Sequence, residues 1–194
     1  MSEQLSNAEA ASTSGGYSLS CELAAVLGRK LIRRAREDRR LSADLLRVPA
    51  KHRRELLARC HSENAQALKQ IVERHGWPTR ALVGDEACTA ALTILLHAGD
   101  LRFQLHCGHL IDDATEAGHC SGVHRAYIQD HCEAQQGNPQ TYGTCINTVL
   151  GRPYPIRDEA TVDARRASIG LRPLEQQMQA LRAASLPTLK ELRP

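Results

Sequence analysis

Apolar residues recur at helical spacing along most of this chain. Near the N-terminus, Leu23, Leu27 and Leu31 are four residues apart in the stretch CELAAVLGRKLIRRAREDRRL. Residues at this spacing share one face of a helix. Ser18 or Ser20 precedes the stretch and can accept hydrogen bonds from the first helical N–H groups. The pattern predicts a long amphipathic first helix.

The next two stretches also predict helices. AKHRRELLARCHSENAQALKQIVERH follows Pro49, which suits the start of a helix, and Gly76 and Pro78 end it. DEACTAALTILLHA is the most uniformly apolar stretch and ends near His97. An element that is apolar on all sides is typically buried, so we expect it to be the central helix.

The residue pattern changes in the C-terminal half of the chain. DLRFQLHCGHLIDDATEAG and GVHRAYIQDHCEAQQ predict two more helices, ended by Gly118 and Gly137. TYGTCINTVLGRPYPI is rich in strand-forming residues around a Leu-Gly-Arg turn and predicts a hairpin with one edge strand, because Pro153 and Pro155 lack N–H donors. DEATVDARRASIG and PLEQQMQALRAASL return to helix. We therefore expect a mainly α fold: an irregular bundle of about six helices with one small β-hairpin near residues 141–156.

Composition and charge narrow the class of protein. The chain has 194 residues, 42% of them hydrophobic and 24% charged, enough for one domain with a core. We expect a disordered polar leader at 1–16 and a single helical domain at 17–194. The leader lacks the features of a signal peptide, and no stretch is long and apolar enough for a membrane span. Seven cysteines without a C-x-x-C pair are typical of a reducing compartment, so we expect a cytoplasmic protein without a membrane partner.

The segment from Arg29 to Arg59 is strongly basic. Such a run can bind phosphate backbones, but no stacking aromatic residue and no recognised nucleic-acid motif accompanies it. We interpret it as a solvated helix face and expect no nucleic-acid partner.

Histidine and cysteine are concentrated between Leu105 and Cys132. Cys120, His124 and His131 are four and seven residues apart, so a helix could place them on one face. However, a zinc site needs about four converging ligands, and no recognised zinc spacing is present. We expect no metal site and no cofactor.

The order of several short motifs resembles a bacterial domain family of unknown function, over about residues 20–178. The resemblance rests on three blocks: LKQIVERHGWPTRALVGDEACTAALTILLHAGD, AYIQDHCEAQQGNPQTYGTC and PIRDEATVDARRASIGLRPL. Three positions depart from the family pattern: Gly99 is inserted between His-Ala and Asp, His131 stands in place of Arg, and Cys145 in place of Gln. The family has no established reaction, so the resemblance implies fold and site position rather than function.

His97 is the strongest candidate for chemistry. A histidine beside a carboxylate is the usual unit of acid–base catalysis near neutral pH, and Asp100 follows closely. Tyr142 could donate a hydrogen bond to an oxyanion. We predict His97, Asp100 and Tyr142 as catalytic. Alternatively, Asp100 caps the next helix and Tyr142 is a core residue.

Among the residues that match the family pattern, we predict a set of polar side chains that bind a substrate. This set comprises Asp38, Gln104, Asp130, Gln140, Thr144, Arg165 and Arg166. The first hypothesis for function is a small-molecule enzyme that uses cofactor-free acid–base chemistry on a polar metabolite. The second is a non-catalytic helical module that binds a ligand or another protein.

Overall fold

A computed structural model of the chain describes residues 20–147 and 150–185, so the leader predicted at 1–16 lies outside the described residues. The first helix, α1 (Cys21–Arg47), begins where a serine cap was predicted: the Ser20 hydroxyl accepts a hydrogen bond from the Leu23 N–H. Its continuous stripe of buried positions includes Leu27, Leu31 and Ala35. The predicted amphipathic helix is confirmed.

Much of the buried core lies between α1 and the two helices that pack on it, α2 (Lys51–His75) and α4 (Asp85–Leu96), and the core continues to Ile111 and Ile128. A short helix, α3 (Arg80–Val83), links them. Seven of the residues in α4 are buried, which agrees with the central position predicted for it. Because many of these side chains are alanine, the helices approach closely.

A second pair of helices packs beside α4. It consists of α5 (Leu101–Glu116) and α6 (Gly122–Gln135), which contact each other extensively, while α6 also contacts α4. The Asp100 carboxylate caps α5 by accepting from the Phe103 N–H, and the Ser121 hydroxyl caps α6. The end of α4 and the start of α5 therefore meet in a short connection.

The predicted hairpin is present but short. Strand β1 (Ile146–Asn147) pairs antiparallel with β2 (Arg152–Pro153), and Ile146 lies opposite Pro153. A 3-10 turn (Glu159–Thr161), α7 (Val162–Ser168) and α8 (Leu174–Ser185) follow. The mainly α fold with one small hairpin is confirmed. In the described part of the chain, no helix has the length and apolarity needed to cross a membrane.

Candidate functional site

A buried carboxylate is the centre of the candidate site. Asp38 lies on α1, where it continues the apolar stripe of Leu31 and Ala35, and its side chain is fully buried. An ionised carboxylate is costly to bury without partners. Asp38 therefore needs hydrogen-bonding partners in the folded protein.

Three side chains donate hydrogen bonds to Asp38. His97 Nδ1 is 2.7 Å from one carboxylate oxygen, and His61 Nε2 is 3.2 Å from the other. The Ser42 hydroxyl, one turn along α1, is 3.3 Å away. Each oxygen of the carboxylate thus has an imidazole partner.

Three helices bring this cluster together. Asp38 comes from α1, His61 from the middle of α2, and His97 from the C-terminal cap of α4. The two imidazole rings are tilted against each other with their centroids 4.7 Å apart. The cluster therefore exists only when α1, α2 and α4 are packed together.

The electrostatics of Asp38 reflect two opposed effects. Burial alone raises the pKa of this carboxyl, but the hydrogen bonds and charges of His97 and His61 outweigh burial and hold the pKa below its usual value. Asp38 is then ionised at neutral pH and accepts an N–H from each ring. The lone pair that remains is on Nε2 of His97 and on Nδ1 of His61.

Both imidazoles line an open cleft of about 430 Å³. The His97 side chain is 40% exposed and that of His61 is 26% exposed, although both bind a fully buried carboxylate. Among the described residues, neither His97 Nε2 nor His61 Nδ1 makes a hydrogen bond. The remaining lining comes from one face of α2 and from the α4–α5 connection: Ala58, Ser62, Ala65, Gln66, Lys69, Gly99 and Asp100.

Asp100 has a different position from the one predicted. Its carboxylate binds Lys69 Nζ at 2.6 Å and accepts from the Phe103 N–H at 3.1 Å. The Lys69 ammonium and the Phe103 N–H hold the pKa of this carboxyl below its usual range. The expectation that Asp100 is the carboxylate that orients His97 is therefore corrected. Asp38 is the carboxylate that binds His97, while Asp100 lines the cleft and caps α5.

The hydrogen bonds of Tyr142 are made by its backbone N–H and carbonyl groups. Its N–H donates to the Asp130 carboxylate at 3.0 Å, and its carbonyl accepts from Arg166 at 2.7 Å. It is absent from the lining of the His97 cleft, and among the described residues its hydroxyl makes no hydrogen bond. The structure does not unite Tyr142 with His97.

Gln104 positions the end of α4. Its side chain is fully buried, and its amide group donates to the carbonyls of Leu95 and Ala98 at 2.9 and 2.7 Å. These carbonyls flank His97 at the end of α4, where the Ala98 N–H also donates to the Leu95 carbonyl at 3.1 Å. Gln104 therefore fixes the end of α4 that carries His97, and it does not line the cleft.

The segment 140–145 is held by two buried side chains. The Asp130 carboxylate accepts the N–H groups of Thr141, Tyr142 and Thr144 at 2.8–3.2 Å and the Thr144 hydroxyl at 2.9 Å. The Gln140 side chain donates to the carbonyls of Cys145 and Tyr154 at 3.0 and 2.9 Å. These groups bind the chain itself, which suits a role in fixing this loop.

Two adjacent arginines complete this network. Arg166 is fully buried and donates to the carbonyls of Arg172 and Tyr142 and to the Gln177 side chain. Burial lowers its pKa from the usual value. Arg165 donates to the Thr141 carbonyl and to groups of the turn that precedes α7. Of the residues predicted to bind substrate, only Asp38 touches the cleft histidines.

The histidines and cysteines between Leu105 and Cys132 lie in different environments. Cys107 and Cys132 are buried core residues, while His106 and His109 are exposed. His131 Nε2 accepts from the Gln135 side chain at 2.6 Å and lies 3.1 Å from the Gln104 amide nitrogen. It lies apart from Cys120 and His124, which instead meet Cys88 from α4, a residue that sequence reasoning did not include.

Two departures from the resembled family pattern contact each other. His131 Nδ1 lies 4.0 Å from Cys145 Sγ, so the replacement of Arg and the replacement of Gln fall at one place in the structure. His131 also lies 3.1 Å from the amide nitrogen of Gln104, which supports the end of α4. A change in one of these side chains therefore changes the surroundings of the other.

A larger cleft, of about 810 Å³, lies between α1 and α2. Its arginines include Arg36, which pairs with Glu86 at 2.9 Å, and Arg40, which pairs with Glu37 at 2.6 Å. These pairs are exposed and partly neutralise the basic surface. The cleft has no histidine in its lining, so the smaller cleft is the better candidate for acid–base chemistry.

Within the described residues, two clusters bring three potential metal ligands within 4.8 Å of one another: Asp38, His61 and His97, and Cys88, Cys120 and His124. In the first cluster, the hydrogen bonds from the His61 and His97 rings to the Asp38 carboxylate explain why the ligand atoms lie close together.

Comparison with known proteins places the chain in a family. The model of a family of unknown function, DUF6624, matches residues 39–190, a range that contains His61 and His97 and begins one residue after Asp38. No curated protein and no solved structure matches the chain. The resemblance noted in the sequence is confirmed, and the chain belongs to the DUF6624 family of unknown function.

Proposed function

We propose that this protein is a cytoplasmic small-molecule enzyme that performs cofactor-free acid–base chemistry on a polar metabolite at the Asp38–His61–His97 cluster. One observation carries the proposal: a fully buried carboxylate binds His97 Nδ1 at 2.7 Å, and the same ring lines an open cleft.

The chemistry follows from this geometry. Asp38 accepts a hydrogen bond from His97 Nδ1–H, so the lone pair of the neutral ring is on Nε2, and His97 can take a proton there from a bound substrate. The buried negative charge stabilises the imidazolium that forms. His97 then returns this proton from Nε2 to the product and becomes neutral again, while His61, held by the other oxygen, offers the lone pair of Nδ1 as a second acceptor. A positioned acid or base of this kind contributes about 10²–10⁴-fold to a rate.

The cleft itself favours a polar ligand. Ser62, Gln66 and the Lys69–Asp100 pair line it beside the two rings. The ammonium of Lys69 and the carboxylate of Asp100 offer one donor and one acceptor group for hydrogen bonding. The free cysteines of the described chain are consistent with the reducing cytoplasm.

A matched set of variants separates catalysis from binding. His97→Asn places an amide nitrogen near the position of Nδ1 and lacks Nε2; His61→Gln does the same for the nitrogen that contacts Asp38. His106→Asn, on the exposed face of α5, is the control. Each purified protein is incubated with a cell-extract metabolite pool, which is followed by mass spectrometry.

We expect the wild type and His106→Asn to convert at least one polar metabolite, and His97→Asn to lose about 10²-fold or more of that rate. Conversion at the wild-type rate by His97→Asn would show that the chemistry is elsewhere. A metabolite that binds the wild type and is never converted would overturn the enzyme proposal in favour of a ligand-binding module.

A further inference from the structure

A second cluster of reactive side chains lies apart from the cleft. Cys88 projects from the first half of α4, Cys120 lies just before α6, and His124 is in the first turn of α6. Both cysteines are buried, at 1% and 6% exposure. Three polar or ionisable groups thus meet where α6 approaches α4.

The distances within this cluster fit a tetrahedral metal. The two sulfur atoms are 3.9 Å apart, and each sulfur lies 3.6 Å from His124 Nδ1. With Zn–S bonds of about 2.3 Å, Zn–N bonds of about 2.0 Å and tetrahedral angles, the expected separations are about 3.8 Å between sulfurs and about 3.5 Å from sulfur to nitrogen. A single ion can therefore reach all three atoms with little movement of the side chains.

The surroundings of the three atoms also suit a metal. His124 Nε2, the nitrogen that faces away from the sulfurs, is 3.3 Å from the Thr89 hydroxyl, a contact that fixes the ring orientation. The Trp77 indole N–H lies beside Cys88 and is buried without a regular hydrogen-bond partner among the described residues. An N–H donor beside a ligating sulfur stabilises its negative charge.

We propose that Cys88, Cys120 and His124 bind one Zn²⁺ ion, with a water molecule or an exogenous ligand in the fourth position. On binding, both thiols release their protons to the buffer and the ring binds through the lone pair of Nδ1. Two thiolates and an imidazole select a borderline or soft ion such as Zn²⁺ over Mg²⁺ or Ca²⁺. The sequence-based expectation of no metal omitted Cys88, which lies in the predicted core helix.

The ion would connect α6, and with it the α5–α6 pair, to the central helix. The site is separate from the cleft, because Cys88 and His97 are about 13 Å apart along α4 at a rise of about 1.5 Å per residue. Zinc binding is therefore independent of the acid–base proposal, and either can fail alone.

The test uses the full-length chain and zinc itself. Elemental analysis after purification in the presence of Zn²⁺ should give about one zinc per chain, the stoichiometry of a single mononuclear site. Cys88→Ser, Cys120→Ser and His124→Asn should each retain well under half of it. Cys107→Ser, a buried cysteine outside the cluster, is the matched control and should retain all of it.

The absorption spectrum of the Co²⁺-loaded wild type is a second measurement, and it does not depend on whether any variant folds. Co²⁺ added to metal-free wild type should produce thiolate-to-cobalt charge-transfer absorption and the intense visible bands of tetrahedral coordination, and Zn²⁺ should displace them. These bands should be absent in any folded cluster variant and present in Cys107→Ser.

Three results would overturn the proposal. Wild type that takes up neither zinc nor cobalt would exclude the site. Zinc that survives Cys120→Ser and disappears in His97→Asn would place the ion at the Asp38 cluster. Air-purified protein with a Cys88–Cys120 disulfide and no metal, even after reduction and zinc addition, would identify a redox pair.

Discussion

Replacing Asp38 by asparagine tests whether the buried charge organises the cluster. Asparagine has nearly the same size, so packing is conserved, but it is neutral and offers a single acceptor oxygen. It therefore keeps one of the two imidazole contacts, and its amide NH₂ group faces the other ring. The variant removes charge and one acceptor at the point where α1, α2 and α4 meet.

The expected cost follows from the bonds that are lost. A hydrogen bond to a charged group contributes about 1.5–3 kcal/mol net, and one such bond is lost in Asp38→Asn. With a urea m-value of about 2 kcal/mol/M, the unfolding midpoint should fall by about 1 M. Asp44→Asn is the control on the same helix: its exposed pair with Arg40 contributes less than about 1 kcal/mol.

The pH dependence gives the sign of the effect. The pKa of Asp38 in the folded protein lies below its ordinary value of 3.8, so between the two values the unfolded chain binds more protons. The contribution of Asp38 to stability is complete above 3.8 and is lost as the pH falls through the folded pKa. The difference between wild type and Asp38→Asn should therefore shrink in that acid range. An unchanged midpoint at pH 7, or a difference that stays constant down to pH 3, would refute this reasoning.

Two further predictions concern the surroundings of the site. Gly143→Ala should destabilise the fold by about 1–3 kcal/mol more than Gly137→Ala, because both glycines have positive φ (68° and 77°) but only at Gly143 would a Cβ meet Ile156, at 2.7 Å; equal losses in chemical denaturation would contradict this. Burial, followed by the charge of His97, lowers the pKa of His131 from 6.5, so wild-type stability should decline as the pH falls below 6.5 and His131→Gln should flatten that decline. Identical slopes of urea midpoint against pH for the two proteins would show that His131 is not the group responsible.

The helices could be predicted because their signals are local. Apolar spacing and end signals such as Ser20 and Gly76 lie within each segment, and the structure follows them. The short helix α3 had no such signal, since four residues cannot show a helical period. The hairpin is shorter than its strand-rich segment, and one of its two paired residues in β2 is Pro153.

The candidate site was predictable only in part. His97 was identified because it ends the most apolar helix, where a polar side chain is unexpected. Its carboxylate partner was not, because Asp38 lies 59 residues away in sequence, while Asp100 is a neighbour in sequence. The available signal was an acidic residue at the end of the stripe formed by Leu31 and Ala35. His61 lies on the face of α2 that carries Ala65 and Leu68, but nothing in the sequence pairs that face with α1.

The cluster of Cys88, Cys120 and His124 that we propose as a zinc site was not predicted as a unit for the same reason. Cys120 and His124 were considered together with His131 because all three are close in sequence. The structure replaces His131 by Cys88, which is 32 residues before Cys120. Spacing along one helix identifies residues on a shared face, but convergence from different helices depends on packing that the pattern does not encode.

The most direct test of the account is the protonation state of the two ring systems, measured by ¹⁵N-detected NMR of histidine-labelled protein above neutral pH. If ionised Asp38 accepts from both rings, His97 is protonated on Nδ1 with a bare Nε2, and His61 is protonated on Nε2 with a bare Nδ1. Asp38→Asn should abolish this opposed pair of tautomers while the exposed His106 remains unchanged. A His97 ring that carries its proton on Nε2 in the wild type would contradict the claim that the buried carboxylate prepares His97 as a base.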